Sequence, residues 1–192
     1  MRIILASTSE ERKKVIGYLG IDFECIPSNY DESFLQETIK DPYELVVRIA
    51  EEKAKYLADE QKDAIIISGD TVGCFEGEFL CKPKSLDEAR DMLMKLSGKT
   101  HKFISGFCVI NTGTGEKEVG FSECDITFRD LSENEINEFL KEGISLKKAS
   151  GYQIFGAKSE SFIEKINGSL HACNGIPIEK IILVLRKYNV KI

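Results

Sequence analysis

The 192-residue sequence predicts an α/β fold: a mixed sheet with flanking helices. Three observations carry that prediction. The N-terminal third alternates strand-like and helix-like patterns in the order β-α-β-α-β, as parallel strands joined by crossover helices do. Two long stretches of strand character then flank "TGTGEK" at 112–117, a turn-rich hairpin connection. Finally, the length suits one substantial domain, and no repeat or linker divides it, so residues 1–192 are expected to form a single domain.

The first strand is expected over 2–6, ending in Ser7, Thr8 and Ser9. A helix over 9–19 follows; Thr8 and Glu11 have the spacing of a capping box, and Gly20 lies just past the end. A strand over 22–27 leads into the loop "SNYDESF". The next helix starts with Asp41 as cap, Pro42 in the first position and Glu44 completing the pattern, and runs to about 59. Further strands are expected at 64–69, 71–75, 78–81, 101–111, 117–129 and 161–166. Ser85 with Glu88 and Ser132 with Glu135 open two more helices, backed by the stripes Ala89, Met92, Leu93, Leu96 and Ile136, Phe139, Leu140. The last helix has Pro177 near its start and Ile178, Ile181, Ile182 and Leu185 on one face. Alternation in the second long strand breaks near Ser122–Cys124, which predicts a bulge.

Net charge is −6, with 26 basic and 32 acidic residues, which argues against non-specific binding of nucleic acid. An anionic ligand would therefore need a local basic cluster. No apolar run reaches the roughly 18 residues of a membrane span, and the few apolar residues after Arg2 do not make a signal peptide. A cytoplasmic protein without membrane contact is expected. The six cysteines, at 25, 74, 81, 108, 124 and 173, form no C-x-x-C and have only two histidines as co-ligands. They read as small buried thiols in a reducing compartment. Asn167-Gly168-Ser169 reads as a turn.

Some motifs mislead. "SGKT" at 97–100 lacks the earlier glycine of a phosphate-binding loop, because Leu93 stands there, and the strand–helix order around it is reversed. Gly113-x-Gly115 lies in the hairpin turn. His101 and His171 have no G-x-S-x-G to support a hydrolase triad, and a structural role is the default for both.

Other residues carry more. Arg12, Lys13 and Lys14 stand at the start of a helix, an end that penalises cations; either they face water or an anion sits there. Lys53 falls inside the apolar stripe of Leu45, Ile49 and Leu57, while Arg48, Glu51, Glu52 and Lys55 lie off it and read as solvated. A lysine so placed must snorkel out or meet an anion. Asp70 ends the strand "AIIISGDT" where α/β sheets form ligand crevices; it can hold a cation, take a proton from water, or simply make a turn. Lys82 is directed by Pro83, and Asp31 and Glu32 occupy a loop whose default is an acidic surface. Together the hydroxyl-rich turn, Arg12, Lys13, Lys53 and Lys82 could surround a polyphosphate, with Asp70 and Glu32 holding Mg²⁺.

The sequence resembles the Maf family of nucleoside triphosphate pyrophosphatases nearly from end to end. Ala6, Ser7, Ser9 and Arg12 match its opening motif, with Lys13 just beyond; Glu32 matches its loop acid. Glu52-Lys53-Ala54, Gly69-Asp70-Thr71, Lys82-Pro83, "LSGKTH" at 96–101 and the later "GYQI" and "INGS" also fit. The resemblance implies an elongated structure with a cleft between two lobes, like inosine triphosphate pyrophosphatases. It implies hydrolysis of a nucleoside triphosphate to monophosphate and pyrophosphate with Mg²⁺ or Mn²⁺. Asp70 would accept the proton and share the metal with Glu32, and Ser7, Arg12, Lys53 and Lys82 would bind phosphates. Arg12 with Thr71 resembles the branch acting on dTTP and UTP. Three features depart from the pattern: Glu11 replaces an arginine, Phe155 falls where a polar specificity residue is usual, with Gln153 two places earlier, and 156–161 is one residue longer. Phe155 can stack on a base but not hydrogen-bond to it. The alternatives are a 7-methyl-GTP pyrophosphatase and a non-catalytic nucleotide-binding regulator of cell division. An exposed patch could support a homodimer, although apolar stripes on helices are more often core.

Overall fold

In the computed structural model, which describes residues 1–192 apart from the side chain of Ala157, the elements follow in this order. They are β1 (Arg2–Leu5), α1 (Glu10–Gly17), β2 (Glu24–Cys25), α2 (Ser33–Thr38), α3 (Pro42–Ala58), β3 (Ala64–Phe75), β4 (Glu78–Leu80) and α4 (Leu86–Leu96). Then come β5 (Thr100–Asn111), β6 (Lys117–Phe128), α5 (Glu133–Leu140), α6 (Ala157–Glu160), β7 (Ile163–Gly168), α7 (Leu170–Cys173) and α8 (Ile178–Lys187). The mixed sheet has the order β2-β1-β3-β5-β6-β7, with β4 added to β3. The chain divides into two compact units: Met1–Thr71, Ile104–Ser122 and His171–Ile192 form the first, Val72–Phe103 and Glu123–Leu170 the second.

In the first unit β1 runs parallel to both neighbours, Leu5 lying opposite Cys25 of β2 and Ile67 of β3. Strand alternation sorts the apolar residues to two faces. Ile3, Leu5, Ile65 and Ile67 pack with Val15 and Ile16 of α1 and Ile181 and Leu185 of α8. Ile4 and Ile66 turn the other way, with Ala50, Ala54 and Leu57 of α3 and Cys108 of β5. Because both faces are covered, these strands read as unbroken apolar runs. On this second face α3 comes so close to β5 that a Cβ on Gly106 would lie 2.3 Å from the carbonyl oxygen of Val46 and 2.7 Å from the nitrogen of Val47. Only glycine fits there.

The second unit is held by aromatic packing. His101, Phe103, Phe128, Tyr152, Phe139 and Phe162 meet edge to face at centroid distances of 4.9–6.0 Å. His101 Nε2 lies 2.5 Å from Tyr152 Oη, and burial pushes the imidazole down to about 4. The histidine is a neutral core residue, as its default reading held.

Several expectations change in detail. The strands at 64–69 and 71–75 are one strand, since Gly69-Asp70 does not break it, and β2 keeps only Glu24–Cys25 of the span 22–27. Part of the "SNYDESF" loop is the start of α2. The α1 cap is Ser9, not Thr8: Ser7 Oγ takes the Ser9 amide at 3.1 Å, and Ser9 Oγ accepts from Arg12 N at 3.3 Å and donates to Glu11 Oε2 at 3.0 Å. The Ser132–Glu135 box forms in full. Through and beyond Ser122–Cys124 burial keeps alternating, with Ser122, Cys124, Ile126 and Phe128 inside, and a register irregularity falls at Thr127/Phe128 against β7. Polar Ser122 is tolerated inside because its hydroxyl donates to Glu179 Oε1 at 2.7 Å. Among the cysteines, Cys108 is buried as expected, but Cys25 and Cys81 are exposed at or beyond the ends of short strands, and Cys124 and Cys173 are not free thiols. Among the described residues no helix is long and apolar enough to cross a membrane.

Candidate active site

Helix α3 begins where Asp41 accepts from the Glu44 amide at 2.8 Å and Pro42 supplies a fixed φ. Its buried stripe carries Lys53 inward, to a side-chain exposure of 14%. There the ammonium meets two acids from distant parts of the chain: Glu32 Oε2 at 2.6 Å and Asp70 Oδ1 at 3.2 Å. The lysine does not snorkel; it is paired. Glu51 overturns its solvated reading. It is buried, because Lys55, Lys117 and Arg48 neutralise it from the edge of the helix.

Asp70 follows the segment of β3 that pairs with β1, three residues after the last paired position, Ile67. Burial pushes its carboxyl above the usual range; Lys53 and Arg12 pull it back, and Glu32 adds a smaller upward push. The two loop acids are now distinguished. Asp31 ties its own turn, accepting from Ser33 N at 3.0 Å and Ser33 Oγ at 2.6 Å. Glu32 stands at the start of α2 but makes no cap, and its carboxylate goes to Lys53 instead.

Arg12 lies across the ends of β1 and the parallel part of β3. Nε donates to the Gly175 carbonyl at 2.8 Å, Nη1 to Ser7 Oγ at 3.4 Å and Nη2 to Thr71 Oγ1 at 3.4 Å. Thr71 Oγ1 in turn lies 2.6 Å from Ser105 Oγ. The first unit thus brings together Ser7, Arg12, Glu32, Lys53, Asp70 and Thr71. Exposed Lys13 lines a pocket of about 220 Å³ with Ser7, Thr8, Ser9, Glu10, Cys25 and Pro27. Lys82, Gln153 and Phe155 belong to the second unit; Lys82 is exposed after β4, Gln153 half-buried, and Phe155 exposed. Sequence reasoning missed Ser105 and the Gly175 carbonyl. The signal for Ser105 was a hydroxyl inside the apolar run "FISGF"; a backbone carbonyl leaves none.

The four charges of Glu32, Asp70, Lys53 and Arg12 cancel. Among the described residues no group of three or more His, Cys, Asp or Glu could hold a metal ion, so no all-protein cage exists. Two carboxylates do suit a hard dication such as Mg²⁺, which binds one or two carboxylates and takes its remaining ligands from water and phosphate. The donor set of one guanidinium, one ammonium and hydroxyls fits phosphate oxygens, and a buried acid of raised affinity for protons fits general base chemistry.

The family model for Maf-like protein matches residues 2–188. Similar chains include the dTTP/UTP pyrophosphatase of Clostridioides difficile (strain 630), 36% identical over 98% of this chain and 95% of that protein. Another is the dTTP/UTP pyrophosphatase of Bacillus cereus (strain G9842), 34% identical over 100% of this chain and 97% of the other. A third, from Aquifex aeolicus (strain VF5) and bearing the same name, is 36% identical over 98% and 96%. With motifs matched along almost the whole length and relatives matched over nearly all of theirs, the chain belongs to the Maf family.

Proposed function

We propose that this protein is a cytoplasmic nucleoside triphosphate pyrophosphatase that prefers dTTP and UTP, releasing the monophosphate and pyrophosphate. The observation that carries the reading is Lys53 between Glu32 and Asp70, at 2.6 and 3.2 Å, with Arg12 close enough to act on the same carboxylate. The names of relatives at 34–36% identity support the reaction class and the pyrimidine preference.

In this reading Arg12 and Ser7 bind phosphate oxygens, and Lys53 offsets charge on the polyphosphate. Asp70 takes a proton from water as its oxygen attacks the α-phosphorus; the bond from that phosphorus to the bridging oxygen breaks, and pyrophosphate leaves with the electron pair. Glu32 and Asp70 would hold Mg²⁺ or Mn²⁺, which when bound supplies charge neutralisation at the phosphates. For Lys82 as a phosphate ligand, and for Lys13, Gln153 and Phe155 as further substrate contacts, the support is the family motif or the sequence position. Glu11, the acid that departs from the family pattern, accepts from Ser9 Oγ at the helix start.

The test is a pyrophosphate-release assay over dTTP, UTP, CTP, ATP, GTP and 7-methyl-GTP with Mg²⁺ or Mn²⁺. Fastest turnover on dTTP and UTP, with monophosphate as co-product, is expected. Preference for 7-methyl-GTP would move the protein to the other enzymatic branch, and no product from any triphosphate would favour the regulator. Asp70→Asn should lower kcat by about 10³-fold, the scale of a lost general base, with a thermal midpoint unchanged or higher. Near-normal kcat in that variant removes Asp70 from the chemistry.

A further inference from the structure

We infer that Ser105, a fully buried serine of β5 outside the catalytic set, is a positioning residue: it sets the proton direction of Thr71 and thereby the anchorage of Arg12. The inference rests on the reading of Arg12 as a substrate-binding arginine.

Ser105 Oγ lies 2.6 Å from the carbonyl oxygen of Ala172. A carbonyl only accepts, so the single proton of Ser105 is committed there. Ser105 Oγ also lies 2.6 Å from Thr71 Oγ1. Two oxygens that close need a proton between them, and only that of Thr71 remains. Thr71 therefore has none to give to the Gly175 carbonyl, 3.2 Å away. Thr71 Oγ1 and the Gly175 oxygen then face each other as two acceptors.

Arg12 resolves this, with Nε on Gly175 at 2.8 Å and Nη2 on Thr71 at 3.4 Å. A guanidinium offers five N–H groups in a planar fork and accepts nothing, so it matches a pair of acceptors. With Nη1 on Ser7 Oγ at 3.4 Å, one N–H on each terminal nitrogen is left for an anion. Removing the Ser105 hydroxyl frees the Thr71 proton. It turns to Gly175, competes with Nε for that carbonyl, and loosens the shortest of the three contacts that orient the guanidinium. The cost falls on substrate binding, because Arg12 meets phosphate before and during reaction alike.

A double-mutant cycle on KM for dTTP tests this. Ser105→Ala should raise KM about tenfold, the scale of one charge-assisted hydrogen bond, with kcat changed less than about twofold. Thr71→Val should raise KM at least as much, and adding Ser105→Ala to Thr71→Val should change nothing further. Thr71→Ser, which keeps the hydroxyl, should raise KM less than Thr71→Val does. Additive effects in the double variant would overturn the inference, since residues acting through one another do not add. So would a Ser105→Ala enzyme with a lowered melting midpoint and an unchanged KM, the mark of a purely structural serine. If Ser105→Ala does not fold, Ser105→Cys, which keeps a weak donor toward Ala172 and a weak acceptor toward Thr71, is expected to give a smaller KM rise that again vanishes on Thr71→Val. Wild-type turnover of no triphosphate would count against the proposed function; normal wild-type turnover with an additive cycle counts only against Ser105.

Discussion

Glu51 and Asp70 are both buried acids that face lysines, yet their carboxyls move in opposite directions. Glu51 is held down to about 2, chiefly by hydrogen bonds from Lys117 and Lys55. Asp70 is raised, because desolvation outweighs the pull of Lys53 and Arg12. The two lysines of Glu51 are 41–45% exposed and reach in from water, so the acid sits at the bottom of a shallow, well-compensated network. Asp70, covered to about the same extent as Glu51, has a single ammonium at 3.2 Å, itself shared with Glu32. The same residue chemistry thus gives opposite shifts in two places, and what separates them is the balance of direct hydrogen bonds against desolvation.

The largest expected break in this comparison comes from Lys53→Met. Turnover should fall by about 10²–10³-fold, because a fixed charge at the developing transition state is lost. Measured kcat near wild type would mean Lys53 belongs with Lys55 and Lys117 as a structural partner. Glu51→Gln is next. Activity should stay within about twofold, but chemical denaturation should show a loss on the order of 1–2 kcal/mol, discounted from the full shift because the partner lysines are partly solvated. The pH sense follows from the downward shift. The stabilisation from Glu51 is complete above its ordinary value of 4.5 and drains away as pH falls toward 2. Acid denaturation of Glu51→Gln should accordingly be less steep in that window, and an identical slope would show that Glu51 is not held down. Smallest is Lys117→Ala, expected to cost about 0.5 kcal/mol and to lose its effect in high salt, since Lys55 and Arg48 still hold Glu51. A salt-independent loss several times larger would show that the network is deeper than its exposed lysines suggest.

Much of this was legible in the sequence. Lys53 declared itself by breaking an apolar stripe, and Asp70 by ending one. Capping chemistry marked α3, α4 and α5, where Asp41, Ser85 and Ser132 each accept from the backbone three residues on. Glu51 was misread because one of its partners, Lys117, lies far along the chain, where no helical periodicity reports it. Charge and loop position did not separate Asp31 from Glu32, and only the family motif singled out Glu32; in the structure Asp31 is tied to Ser33 while Glu32 reaches Lys53. The Thr8 cap failed for a local reason: the next hydroxyl, Ser9, takes the Arg12 amide and starts the helix one residue later. The Gly175 carbonyl was invisible in principle, since every residue has one.

Gly106 has a consequence beyond its tight fit. Val46 and Lys53 are seven residues apart on α3, two helical turns, so they lie on the same side of the helix. The spot where β5 touches the Val46 carbonyl therefore acts as a depth gauge for the lysine two turns along. Alanine at 106 would wedge the helix outward and draw the ammonium away from its carboxylates, silencing the enzyme through a residue that meets neither nucleotide nor solvent.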